Sequence, residues 1–222
     1  DISVTGTADA KGNIVSLKAA VGTTVELVHT EATTANAWKA YQGCLVIGNG
    51  STVTASADDG WACDTDNTLT VQTGGKLDMG NYRWTISPHN KITLAGGEIA
   101  AWGSETYGAP DFFDSGNVVA VTEDSTISAR LRVRGSVAFD VTEGKELSFS
   151  GGIVSSGMYD DDKGTVSKTG AGTMVMSGAN AMPHGTINIQ AGTLKVTGNS
   201  NPLGAATVNV TGGATLELGG TL

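Results

Sequence analysis

Cysteine, proline, aromatic rings and charge are all scarce in this chain. Its 222 residues include 2 cysteines and 4 prolines, with 5% aromatic and 16% charged residues. Two cysteines, Cys44 and Cys63, are too few for a zinc or iron–sulfur ligand set, which leaves either one disulfide or two buried thiols. No apolar run approaches the roughly 18 residues needed to span a bilayer, so this segment is not expected to be embedded in a membrane. Basic residues are outnumbered, 13 Lys and Arg against 22 Asp and Glu, for a formal net charge of -9. That balance argues against nucleic acid or an anionic membrane surface as a partner, since both attract clustered cations. The chain opens at Asp1 rather than Met, which predicts that an export signal has been removed.

What is abundant is glycine, 32 residues without the triplet period of collagen. Hydrophobic residues reach 39%, too many for a disordered chain, so the chain is expected to fold with glycine marking its turns. Short alternating segments of Val, Ile, Leu and Thr are separated by Gly, Asn or Asp, and no amphipathic helix interrupts them. From Asn67 onward, apolar pairs fall at Leu69/Val71, Leu77/Met79, Trp84/Ile86 and Ile92/Leu94, followed by Ile99. Three steps carry Leu69 to Ile92 and Leu77 to Ile99, displacements of 23 and 22. Leu27 to Ile47, Ile127 to Leu147, Ile187 to Val208 and Leu194 to Leu216 repeat at 20 to 22 residues. A hairpin meander has no reason to repeat every third strand, whereas a coil of three strands does. The pattern predicts an all-β, right-handed parallel β-helix, a solenoid with about three short strands per coil. Coils would stack at about 4.8 Å and be held by their neighbours, since none can bury a core alone.

The C-terminal part carries a more specific signal. Residues 166–180 read Val-Ser-Lys-Thr-Gly-Ala-Gly-Thr-Met-Val-Met-Ser-Gly-Ala-Asn, and 184–196 read His-Gly-Thr-Ile-Asn-Ile-Gln-Ala-Gly-Thr-Leu-Lys-Val. This resembles the autotransporter-associated β-strand repeat, in which Lys-x-Gly-x-Gly-Thr-Leu-x-Leu-x-Gly-x-Asn precedes Gly-Thr-x-Ile and Ala-Gly-Thr-Leu-x-Val. Met174 and Met176 replace the usual leucines, a volume-conserving change. Met182-Pro-His184 departs from the usual Tyr-x-Gly. In the motif, Gly170, Gly172, Gly178, Gly185 and Gly192 are expected at sharp corners. Residues 1–165 share only the periodicity and are expected to form coils with a loop excursion near 100–117, with 166–222 forming coils of the repeat. The resemblance implies an exported passenger of a bacterial surface or secreted protein, acting as stalk, spacer or display scaffold.

Three stretches are candidate sites. In the 100–117 loop, Trp102 and Tyr107 would stack on a sugar while Glu105, Asp111 and Asp114 accept hydroxyl hydrogen bonds, the alternative being that the aromatics pin the loop to the helix. Arg130, Arg132 and Arg134 would line the outer face of one strand, with Leu131 and Val133 inward. They would grip sulfate or carboxylate groups of a glycan, or form a ladder answered by Asp140 and Glu143. The acidic run Asp160-Asp-Asp162 reads as a solvated turn, since catalytic carboxylates must converge from several coils. His29, His89 and His184 lack metal-ligand spacing and receive no role. Cys44 and Cys63 are separated by about one coil, which predicts equivalent positions on adjacent coils and a disulfide.

The expectation is therefore a non-catalytic structural or adhesive segment at the bacterial outer surface or outside the cell, with no catalytic residues, metal or cofactor. The alternative is a module binding host or environmental glycans, and a third reading is a polysaccharide-active enzyme. Unpaired strand edges at the coil ends predict end-to-end self-association. The finish at Thr221-Leu222, without a polar cap or membrane barrel, predicts an excised fragment.

Overall fold

A computed structural model describes residues 2–4, 16–19, 24–27, 44–48, 50–55, 66–101, 110–154, 163–198 and 201–219. Three sheets run side by side along a β-solenoid, with 10, 9 and 4 strands. Each coil contributes one strand to the first sheet and the next strand to the second. Across the middle of the molecule a further strand enters the third sheet, formed by Trp84–Ile86, Pro110–Phe112, Leu131–Val133 and Ile153–Val154. Farther on, that side continues among the described residues as a bridge between Val154 and Ala181. All pairings between the described strands are parallel except that of Ile2–Val4 with Ser16–Ala19, which is antiparallel.

Alternation decides which side chains enter the interior. In Asn67–Gln72, the residues Leu69 and Val71 are buried while Thr68 and Gln72 face solvent. The parallel register then sets one inward residue above another. In the first sheet the column runs Leu45, Leu69, Ile92, Val119, Phe139, Lys168, Ile189 and Val210. In the second it runs Val53, Leu77, Ile99, Ile127, Phe149, Met176, Val196 and Leu218. Each fully buried aliphatic or aromatic member of such a column is worth about 1.5–3 kcal/mol of transfer free energy. Phe139 and Phe149 meet across the interior with ring centroids 6.3 Å apart, linking the two sheets. At the end of the columns Val210 and Leu218 are 49% and 48% exposed, since no later coil covers them among the described residues.

The expected pairs Leu69/Ile92, Leu77/Ile99, Ile187/Val208 and Leu194/Leu216 are all in register. Two others are not. Leu27 pairs with Ala55 in the second sheet, while Ile47 pairs with Val71 in the first. The early coil is longer than the period suggests, because Ser16 pairs with Cys44 and Thr24 with Thr52, 28 residues on in both cases. Ile127 lies opposite Phe149, and Leu147 opposite Ser125, so that pair sits on adjacent strands but two residues out of step. The coil that follows Cys44 is 24 residues long, so the residue level with Cys44 on the next coil is Thr68 and not one 19 residues on. Cys63 itself lies outside the described residues.

The repeat-like region places its motif residues structurally. Met174 and Met176 take interior positions between Leu147 and Leu194 and between Phe149 and Val196. Met182 is fully buried at the departing turn, so it fills core volume. Gly170 has φ +71°, and a Cβ there would lie 2.2 Å from the Val141 carbonyl oxygen, so only glycine fits where two coils touch. The neighbouring Lys168 enters the interior column, and its ammonium turns to the corner, donating to the carbonyls of Thr169 at 2.6 Å, Gly170 at 2.8 Å and Ala191 at 3.2 Å. Asn180 accepts from the Ile153 amide at 2.6 Å and donates to the Pro202 carbonyl, bridging the coils before and after its own.

Candidate functional site

The chain contains four arginines, Arg83, Arg130, Arg132 and Arg134, and the fold gathers all of them on the outer side of the third sheet. The cause is local. Leu131 and Val133 point inward and are buried, which turns Arg132 outward between them, with Arg130 and Arg134 at the two ends of the strand. Arg83 directly precedes Trp84–Ile86, two coils earlier. Between these strands lies Pro110–Phe112, whose central Asp111 is level with Thr85 on one side and Arg132 on the other.

Asp111 is the centre of the cluster and its carboxylate is inaccessible to solvent. Arg134 engages it with two parallel bonds, Nε to Oδ1 at 3.0 Å and Nη2 to Oδ2 at 2.7 Å. Arg132 reaches Oδ2 through Nη1 at 3.5 Å, and the Arg83 Nε lies 4.0 Å from the same oxygen. Burial pushes the Asp111 carboxyl up from its ordinary value, while the Arg134 hydrogen bonds and the charges of Arg134, Arg132 and Arg83 pull it back. Three guanidinium groups thus share one carboxylate. Exposure grades outward from it, with 7% for the Arg132 side chain, 21% for Arg134 and 33% for Arg83. Arg130 stands in solvent. The Arg134 guanidinium lies 4.0 Å from the centroid of Phe113, a ring that is 47% exposed.

Of the residues expected in a sugar-binding loop, Trp102, Glu105 and Tyr107 lie outside the described residues. The loop itself is shorter than the sequence suggested, because Pro110–Phe112 is a strand and Asn117 begins another. Asp111 is corrected from an exposed hydroxyl acceptor to a buried partner of arginine. Its position in a strand turns it onto the arginine side of the sheet. Asp114 remains exposed, and its backbone carbonyl accepts from Asn117 Nδ2 at 2.6 Å. The arginine strand is outward as expected, but Arg132 is buried and the answering acid comes from the preceding coil. Asp140 instead lies 3.4 Å from the Thr169 hydroxyl on the first sheet. The acidic run 160–162 lies outside the described residues. His89 is near Asp66 at 3.2 Å, and His184 is exposed.

Arg83 and Phe113 were not singled out from the sequence. Arg83 precedes the Trp84/Ile86 pair as Arg130 precedes Leu131/Val133, so aligning coils on their apolar pairs would have brought the two arginines together. A second surface feature is an open groove of about 330 Å³ at the corner of the first and second sheets, floored by Gly74, Gly75, Gly96 and Gly97. Its acids are already engaged, Glu98 by the Ser128 hydroxyl and Asp124 by the Glu146 amide. Among the described residues no three His, Cys, Asp or Glu side chains are grouped to hold a metal ion. Compared with known proteins, the chain matches no family model, no curated protein and no solved structure.

Proposed function

We propose that this chain is a structural and display segment of an exported bacterial surface protein, a spacer of the autotransporter-passenger type. The observation that carries the reading is the unbroken inward column from Leu45 to Val210, one side chain per coil. Seven steps of about 4.8 Å make a rod about 34 Å long, whose length grows with coil number without changing its cross-section. Such a body suits holding a surface at a set distance. The resemblance of residues 166–196 to the autotransporter-associated repeat supports the export part of the reading and rests on those residues alone.

Antibody against the purified chain should label intact cells of the source organism. Label appearing only after permeabilisation would overturn export. A variant with residues 186–206 duplicated should stay folded and lengthen by about 4.8 Å in small-angle scattering. Collapse to a shorter or unfolded species would overturn the spacer role. A second reading, glycan binding, is favoured by one observation: Arg134 stacked on half-exposed Phe113 beside the outward arginines.

A further inference from the structure

We infer that the arginine face of the third sheet binds a sugar unit carrying a single carboxylate or sulfate group, with Arg134 and Arg83 as the cationic contacts and Phe113 as the apolar one. The inference rests on the glycan-binding reading and deepens it by placing one anionic group at the edge shared by Arg134 and Arg83, beside Phe113.

Three observations carry it. First, every arginine in a chain of net charge -9 lies on one side of one sheet. Lysine serves as a general surface cation, whereas the planar guanidinium fork matches carboxylate and sulfate oxygens two at a time. Second, Arg83 and Arg134 both approach Oδ2 of Asp111, at 4.0 and 2.7 Å, so their guanidinium groups converge at an edge that is 33% and 21% exposed. Asp111 holds Arg134 in position from below by two bonds, so a ligand meets a pre-oriented cation and loses less side-chain entropy on binding. Third, Phe113 lies against Arg134 and leaves about half its surface in water. A ring beside a guanidinium suits the apolar C–H face of a sugar next to its charged substituent.

The charge distribution selects among anions. A local cationic face on an acidic molecule attracts one anionic group, while a densely charged polyanion such as nucleic acid is repelled by the remaining surface. A sparsely charged saccharide has the charge spacing this face accepts.

The test uses the full chain and calorimetric titration with three probes: a galacturonate tetrasaccharide, its methyl ester, and a kappa-carrageenan tetrasaccharide, which carries sulfate and no carboxylate. The expected result is saturable binding of one or both acidic probes, weakened by added salt, and at least tenfold weaker binding of the methyl ester. Which acidic probe binds more tightly distinguishes carboxylate from sulfate. Arg134→Lys keeps a positive charge over Asp111 but removes the fork, and should weaken binding at least tenfold while the melting temperature is retained. If Arg134→Lys unfolds the chain, Phe113→Ala and Arg83→Lys supply the same reading from the exposed rim. Lys195→Ala on the second sheet should leave binding unchanged. Equal binding of the methyl ester, no effect of any of the three rim variants, or no saturable binding at millimolar probe would overturn the inference. None of those outcomes bears on cell-surface labelling, so failure here and failure of the spacer reading are separately visible.

Discussion

Arg134 closes on Asp111 with both arms of its guanidinium across the boundary between two adjacent coils. The acid is fully buried and the arginine is one-fifth exposed, so the pair joins the solenoid interior to its surface. Backbone ladders and apolar columns join neighbouring coils along most of the length, with side-chain bridges such as that of Asn180 added at particular levels. This pair marks one level as different.

Removing the acid should be costly. Asp111→Ala leaves Arg132 and Arg134 beside one another without their shared carboxylate, and breaking a buried ion pair typically costs about 3–5 kcal/mol. Urea denaturation of the variant should show a loss of that order. A change of less than about 1 kcal/mol would mean that the cluster is not under tension from its own charges.

Lys168 predicts a pH dependence with a definite sign. Burial lowers its pKa to about 8, with the charge of Asp140 acting in the opposite direction. An unfolded lysine titrates near 10.4. Between those values the unfolded chain holds a proton that the folded chain has released, so stability from this group rises as pH goes from about 8 to about 10.5 and is flat below 8. Denaturation at pH 7.5 and pH 10, compared with Lys168→Met, should show a more favourable change in the parent chain. A parent chain that loses more stability than Lys168→Met on going to pH 10 would contradict the assignment.

Asn180 links three levels through one side chain. Asn180→Ala leaves the Ile153 amide and the Pro202 carbonyl without this partner in a buried setting, a loss of about 2 kcal/mol. Hydrogen exchange should localise the effect, with the Ile153 amide losing protection while Leu69 and Ile92 keep theirs. Uniform protection across the coil would show that water replaces the side chain.

Phe139 and Phe149 form a stacked pair between the first and second sheets. Phe139→Ala removes a fully buried ring and should cost about 3–5 kcal/mol, with Phe139→Leu costing clearly less. If the two substitutions prove equal, refilling the volume recovers nothing and the loss belongs to the ring contact itself.

Much of this architecture was legible from residues alone. Leu69 with Ile92, and Leu194 with Leu216, could be paired because alternation marks the inward side chains and a stacked coil forces them to repeat. Glycines such as Gly170 announced corners because a Cβ has no room there. Lys168 was hidden by the same rule, since a lysine in an alternating strand looks outward until three carbonyls at a corner are found to receive it. Asn180 looked like a turn residue, and its two partners lie 27 and 22 residues away.

The sequence by itself determined the class of fold: a period near 22 with strict alternation admits a parallel coil and little else. It also determined that the arginine strand would face out, because Leu131 and Val133 must face in. Only the tertiary structure decided that Asp111, rather than Asp140 or Glu143, lies beside those arginines, that Arg83 joins them from two coils away, and that Cys44 is level with Thr68. The physical reason is that alternation acts within a strand, whereas the alignment of one coil on the next depends on how many residues each turn inserts. Those insertions vary from coil to coil, and a shift of two residues leaves an apolar column intact while changing which charges meet.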